Sequence, residues 1–140
     1  MTNNSCSLTK SLSPVSNFEN SHCSRYSFDP SIVSGLPSKI GGNLWCKMHK
    51  QAANLTTAEE ENKLICFIYF VCSHFSCSIC RGHCQEYIHK YPPENYRGSY
   101  YRGYYIGLFI YLWRFHNNVN IRLAKPVLPF LPIFQQYFNH

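Results

Sequence analysis

Cys77-Ser78-Ile79-Cys80-Arg81-Gly82-His83-Cys84, residues 77–84, is the stretch on which the reading of this chain turns. Cys77 and Cys80 stand three apart at the start of an expected helix, so they share a face and lie close enough to join as a disulfide or to share a metal. The unpaired amides and positive dipole end of a helix N-terminus favour a thiolate, and Arg81 and His83 nearby add to that. Such a setting suits redox chemistry. Zinc ligation and burial as small apolar side chains are each common explanations of a C-x-x-C taken alone.

Working outward, Thr56 or Thr57 caps a preceding helix in which Glu59, Glu60 and Glu61 offset the dipole and Leu64 through His74 enter the core. That helix stops near Phe75-Ser76. The helix begun at the cysteine pair ends near Tyr91, because Pro92-Pro93 cannot continue it. Upstream, Gly41-Gly42-Asn43 starts a helix running to about Asn54, with Leu44, Trp45, Met48, His49, Ala52 and Ala53 at helical spacing. Downstream, 92–103 reads as a loop and about 104–123 as a fourth helix, in which Gly107 is a minor cost. Pro126, Pro129 and Pro132 interrupt the segment beyond it, leaving a short aromatic helix or turn from about 133 to 138. Residues 1–38, rich in Ser and Asn, read as a flexible arm carrying Cys6 and Cys23. The fold class expected is all-α: an up-down bundle of four helices with a short fifth, preceded by that arm, in one domain over 39–140.

Hydrophobic residues make up 45% of the 140 and charged ones 14%, which predicts a folded body. The net charge of +6 is scattered and comes with no RNP, zinc-finger or helix-turn-helix signature, so no nucleic-acid partner is expected. The apolar runs 64–72 and 104–113 are about half the roughly 20 residues a membrane helix needs, so no membrane association is expected. Eight cysteines would suit a secreted scaffold, but the first thirty residues are polar and lack an apolar signal core. The expectation is a cytoplasmic chain whose cysteines serve redox catalysis, metal binding or burial.

Two further clusters carry chemistry. Trp45 and His49, one turn apart, can lay an indole and an imidazole against a flat ligand, although an amphipathic helix with a tolerated histidine is the plainer account. In the fourth helix His116 and Asn120 share a face with Asn117 beside them, and such side chains are costly to bury unsatisfied. A bound partner would explain them. Arg122 and Lys125 at the helix end can meet phosphates, or simply favour the dipole.

Taken in order, Trp45-x3-His49-x2-Ala52-Ala53, Cys77-x2-Cys80 and His116-Asn117-x-Val119-Asn120-x2-Leu123-x-Lys125-Pro126 resemble the Erv/ALR family of FAD-linked sulfhydryl oxidases, especially small single-domain viral forms. The resemblance covers about residues 40–126. It implies a helical bundle that binds FAD and pairs as a homodimer, making protein disulfides from dithiols with oxygen as acceptor and releasing hydrogen peroxide. By the same resemblance Cys77 is the interchange thiol and Cys80 the thiol that meets the flavin. Trp45, His49, His116, Asn117 and Asn120 line the FAD site, and Lys125 with Arg122 neutralises the pyrophosphate. The implied partner is a thioredoxin-like or viral dithiol protein. For a viral source the compartment is the infected-cell cytoplasm and the virion. Ser76 replaces a frequent proline, Tyr111 stands where a tryptophan is common with Trp113 two residues on, and no cysteine follows Cys84. The shuttle candidates are therefore Cys6 and Cys23, at unusual spacing, and incidental thiols are preferred to that role. Cys46, Cys66 and Cys72 are expected to be buried thiols, and Cys84 a spectator.

The chief alternative is a small zinc-binding module drawing four ligands from Cys72, His74, Cys77, Cys80, His83 and Cys84. It leaves the His116 to Asn120 pattern unexplained. A basic interaction protein accounts for the charge alone. The site expected holds no metal.

Overall fold

The computed structural model describes residues 17–138. It is mostly helical, as the all-α expectation has it: α1 (Asn17–His22), α2 (Pro37–Ala53), α3 (Ala58–His74), α4 (Ser78–Lys90), α5 (Gly107–Arg122) and α6 (Phe130–Phe138), with a two-residue-per-strand hairpin, β1 (Tyr100–Tyr101) and β2 (Tyr104–Tyr105). No helix among the described residues is long and apolar enough to cross a membrane.

α3 lies at the centre. Its start is a capping box, in which Thr57 Oγ1 accepts the Glu60 amide while Glu60 returns a carboxylate to the Thr57 amide. Beyond that turn it buries Leu64, Ile65, Cys66, Phe67, Ile68, Tyr69, Val71 and Cys72, an apolar surface on nearly every side. A helix of that kind has to be surrounded. α1, α2 and α4 pack against it, and α2 in turn packs on α5 and α6.

The N-terminal arm is corrected from residue 17 onward. Phe18 and Val33 are buried in the core, and Cys23 pairs with Cys66 of α3 in a disulfide. Cys23 is thus a partner of the core, and Cys66 is not a free thiol. Residues 1–16, with Cys6, lie outside the described residues. α2 also starts four residues earlier than expected, because Pro37 occupies its first turn with its fixed φ already helical.

The loop at 92–103 contains a 3-10 turn, Pro93–Tyr96, and the hairpin, whose tip Arg102-Gly103 has positive φ at both residues. α5 therefore begins at Gly107 rather than near Tyr104. Gly107 is more than a tolerated helix glycine: a Cβ there would overlap the Tyr96 carbonyl oxygen. Tyr111, one turn on, donates its hydroxyl to the Tyr91 carbonyl at 2.7 Å, so the same face of α5 is held to the end of α4. Backbone cannot give way as a flexible side chain can. G107A is expected to destabilise the fold by about 1–3 kcal/mol, and a denaturant midpoint equal to wild type would contradict this.

Candidate functional site

Cys77 is the N-cap of α4, and its Sγ accepts the Cys80 amide at 3.2 Å. The two cysteines are joined as a disulfide. A helix N-terminus carries free amides and a positive dipole end, so a thiolate released at Cys77 is stabilised there. Arg81 and His83 are otherwise engaged. The Arg81 guanidinium donates to the Phe75 carbonyl across the turn before α4, and His83 lies 3.7 Å from Glu86.

Cys80 opens on a cavity of about 400 Å³ between α2, α3, α4 and α5, whereas Cys77 is not on its wall. Met48, Ile68, Val71, Leu112 and Phe115 make that wall mainly apolar, and among the described residues its only charged members are Arg122 and Lys125, both exposed. An apolar slot with two cations and no carboxylate suits a flat, anionic ligand. Gly41 and Gly42 also line it, and a Cβ on either would meet nothing within 4 Å. Two glycines inside a helix cost about 1 kcal/mol each relative to alanine, and no packing contact among the described residues requires them.

Trp45 and His116 are stacked, with ring centroids 4.3 Å apart and planes 4° from parallel. The stack separates the first cavity from a second of about 300 Å³ that His49, Cys46, Leu128 and Tyr137 help to line. His49 Nε2 and His116 Nδ1 are 3.3 Å apart. His49 Nδ1 is buried without a partner. The less costly arrangement has His49 Nε2–H donating to His116, which leaves an acceptor rather than a donor unpaired. Burial and then His116 push the His49 imidazole down to about 4; burial and then Lys125 do the same to His116.

Of the two asparagines, Asn120 lines the first cavity and Asn117 lines neither. Asn117 instead clamps the segment before α6, accepting the Leu128 amide at 2.7 Å and donating to the Leu128 carbonyl at 3.0 Å. Trp113 donates to that carbonyl at 2.7 Å, so it holds the same loop. Lys125 is placed by the end of α5. Ala124 adopts a left-handed φ of 57°, the Lys125 amide bonds the Asn120 carbonyl at 2.8 Å, and the Ala124 amide bonds Ile121 at 3.1 Å. This double bond pattern turns the chain back over the helix end.

The structure thus brings Cys80, Trp45, His116, Asn120, Arg122 and Lys125 to one cavity and His49 to its neighbour, and leaves Asn117 outside both. Two residues read as bystanders line the first cavity, Cys72 and Cys84. Their places i−8 and i+4 from Cys80 were available in the sequence, but only packing reveals that α3 and α4 turn both inward. Cys46, expected to be buried, is exposed. The ligands of the zinc alternative are not gathered: no group of three or more His, Cys, Asp or Glu among the described residues could hold a metal ion.

Comparison with known proteins adds an independent line. The model of the Erv1 / Alr family matches residues 42–138. A protein of Invertebrate iridescent virus 3, whose name is that of an FAD-linked sulfhydryl oxidase, is 28% identical over 106 residues, covering 73% of this chain and 68% of the relative.

The two depressed histidines predict a pH dependence. Between about 4 and the ordinary value of 6.5 the unfolded chain binds protons that the folded one does not, so stability is complete above that range and is lost as pH falls through it. The melting temperature should drop from pH 7 to pH 4.5, and H49F should flatten that slope. An unchanged slope in the variant would assign the acid sensitivity elsewhere.

Proposed function

The chain belongs to the Erv1 / Alr family, and we propose that it is an FAD-dependent sulfhydryl oxidase that makes disulfides in protein dithiols. The observation that carries this is the Cys77–Cys80 disulfide at the start of α4, with Cys80 facing a mainly apolar cavity whose charged lining among the described residues is Arg122 and Lys125. The residues present fit the cofactor. The open space over Gly41 and Gly42 admits a flat ring system, the unpaired His49 acceptor lies behind the Trp45–His116 stack, and the two cations suit a diphosphate. When bound, FAD supplies the two-electron acceptor that dioxygen re-oxidises, with release of hydrogen peroxide.

The protein's own part starts at Cys77, which is not on the cavity wall. A substrate thiolate attacks the Cys77 sulfur, forming a mixed disulfide and releasing Cys80 as a thiolate within the cavity. The second substrate thiol then attacks the substrate sulfur of that mixed disulfide. Its disulfide closes, and Cys77 leaves as a thiolate stabilised by the Cys80 amide. Two electrons have passed to the Cys77–Cys80 pair, and the two substrate protons have passed to solvent. Apolar side chains surround the cavity that the Cys80 thiolate enters, and the Trp45–His116 stack forms one of its walls. In this reading the substrate is a thioredoxin-like or viral dithiol protein, the enzyme acts as a homodimer, and its place is the cytoplasm.

Purified protein is expected to be yellow and to consume oxygen with a small dithiol. C80S should keep the colour and lose the uptake, and uptake at the wild-type rate would refute the role of Cys80. R122Q with K125Q should retain flavin at least roughly tenfold more weakly, since each charge-assisted contact is worth about 1.5–3 kcal/mol. Equal retention in equilibrium dialysis would remove the two cations from the site.

A further inference from the structure

Among the described residues three cysteines, not one, face the first cavity. Cys80 and Cys84 lie one turn apart on α4, and Cys72 of α3 stands opposite them. Cys72 is buried and Cys84 half-buried, and neither belongs to a disulfide. α3 and α4 are packed closely at this level, where the Gln85 side chain donates to the Cys72 carbonyl at 3.4 Å. The proposed catalytic cycle uses neither Cys72 nor Cys84.

We infer that Cys72 and Cys84 form a second redox pair, a buried dithiol that closes into a disulfide by exchange with Cys77–Cys80. Three features of the site support this. The attacking and attacked sulfurs share one cavity wall, and residues four apart on a helix are neighbours. The two thiols also divide the roles an exchange requires. The Cys84 thiol is drawn down by hydrogen bonding from Cys72 and by the Arg122 guanidinium, whereas burial pushes the Cys72 thiol up. Cys84 is therefore the nucleophile and Cys72 the protonated reserve. Finally, the leaving group is prepared: Cys77, expelled when Cys84 attacks Cys80, departs onto the free amides of the α4 N-terminus.

The exchange balances without an outside reagent. The Cys84 thiolate attacks the Cys80 sulfur, the Cys77–Cys80 bond breaks, and Cys77 leaves as a thiolate. Cys72 then loses its proton and attacks the Cys84 sulfur, so that the Cys72–Cys84 bond forms and Cys80 leaves as a thiolate. Cys72 and Cys84 are oxidised by two electrons and the Cys77–Cys80 pair is reduced by them; the Cys84 proton, lost as its thiolate forms, and the Cys72 proton pass to solvent, from which the two released thiolates draw theirs. The exchange needs only the disulfide present in the structure. Its renewal by oxygen rests on the oxidase reading.

The full chain, reduced and freed of reductant, is given oxidised glutathione without oxygen, which charges Cys77–Cys80 independently of any flavin. It is then quenched in acid, alkylated and mapped without reduction by mass spectrometry. Wild type is expected to yield the Cys72–Cys84 crosslink, and C80S roughly tenfold less of it, since the exchange passes through the Cys80 sulfur. C72S should instead accumulate a Cys80–Cys84 disulfide, the trapped intermediate, which a purely structural Cys84 would not form. Cys72 and Cys84 both alkylated in wild type while Cys77–Cys80 is closed would overturn the inference, as would an equal crosslink in C80S. A parallel sample in air reports on the oxidase reading alone. Crosslinking by glutathione without oxygen uptake in air would sink that reading and leave the second pair standing.

Discussion

The seam between α2 and α5 sets the frame for everything else in the molecule. Trp45 lies flat on His116, and His49 is hydrogen bonded behind it. Aromatic stacking fixes the distance between the helices, and the single imidazole contact fixes their rotation, because a buried His49 with neither nitrogen satisfied would be costly. With the seam in place, α4 closes the far side of the first cavity and α6 the far side of the second. Polar groups inside an apolar face thus become walls of two cavities rather than errors of packing. The site's electrostatics depend on the same placement, since Lys125 stands close enough to His116 to help hold it neutral.

The helical pattern was legible where periodicity and caps agree. Thr57 with Glu60, and Pro92-Pro93 after α4, mark ends that local chemistry determines, and the structure has them there. Signals that depend on distant contacts were not. Residues 17–36 are polar enough to read as an arm, but a few apolar side chains, Phe18 and Val33, and one disulfide hold them to α3. Composition averages over a segment, whereas docking needs only a few well-placed contacts. Gly107 illustrates the same limit: as a helix residue it is slightly unfavourable, and its need appears only when the Tyr96 carbonyl is set against it.

Of the candidate site, the residue types and their order were legible, and most of their placement came from one turn of helix. Asn117 is the informative departure. Spacing puts it beside His116, yet its amide holds both polar groups of Leu128, which positions the loop leading to α6. A side chain that completes backbone hydrogen bonds is not distinguishable in sequence from one that meets a ligand. Cysteine roles likewise divide by burial rather than by spacing. Cys46 is exposed, Cys66 is tied to Cys23, and Cys72 with Cys84 turns to the cavity.

The first cavity, with Cys80 of the Cys77–Cys80 disulfide on its wall and the exposed cations Arg122 and Lys125 among its lining, has the form of a site for a flat anionic cofactor. A crystal structure of the protein purified with its own bound cofactor tests this most directly. FAD is expected in the first cavity, its ring system against Cys80 Sγ and its phosphates within reach of Arg122 and Lys125. A cofactor bound away from Cys80, or a cavity closed by packed side chains, would contradict it.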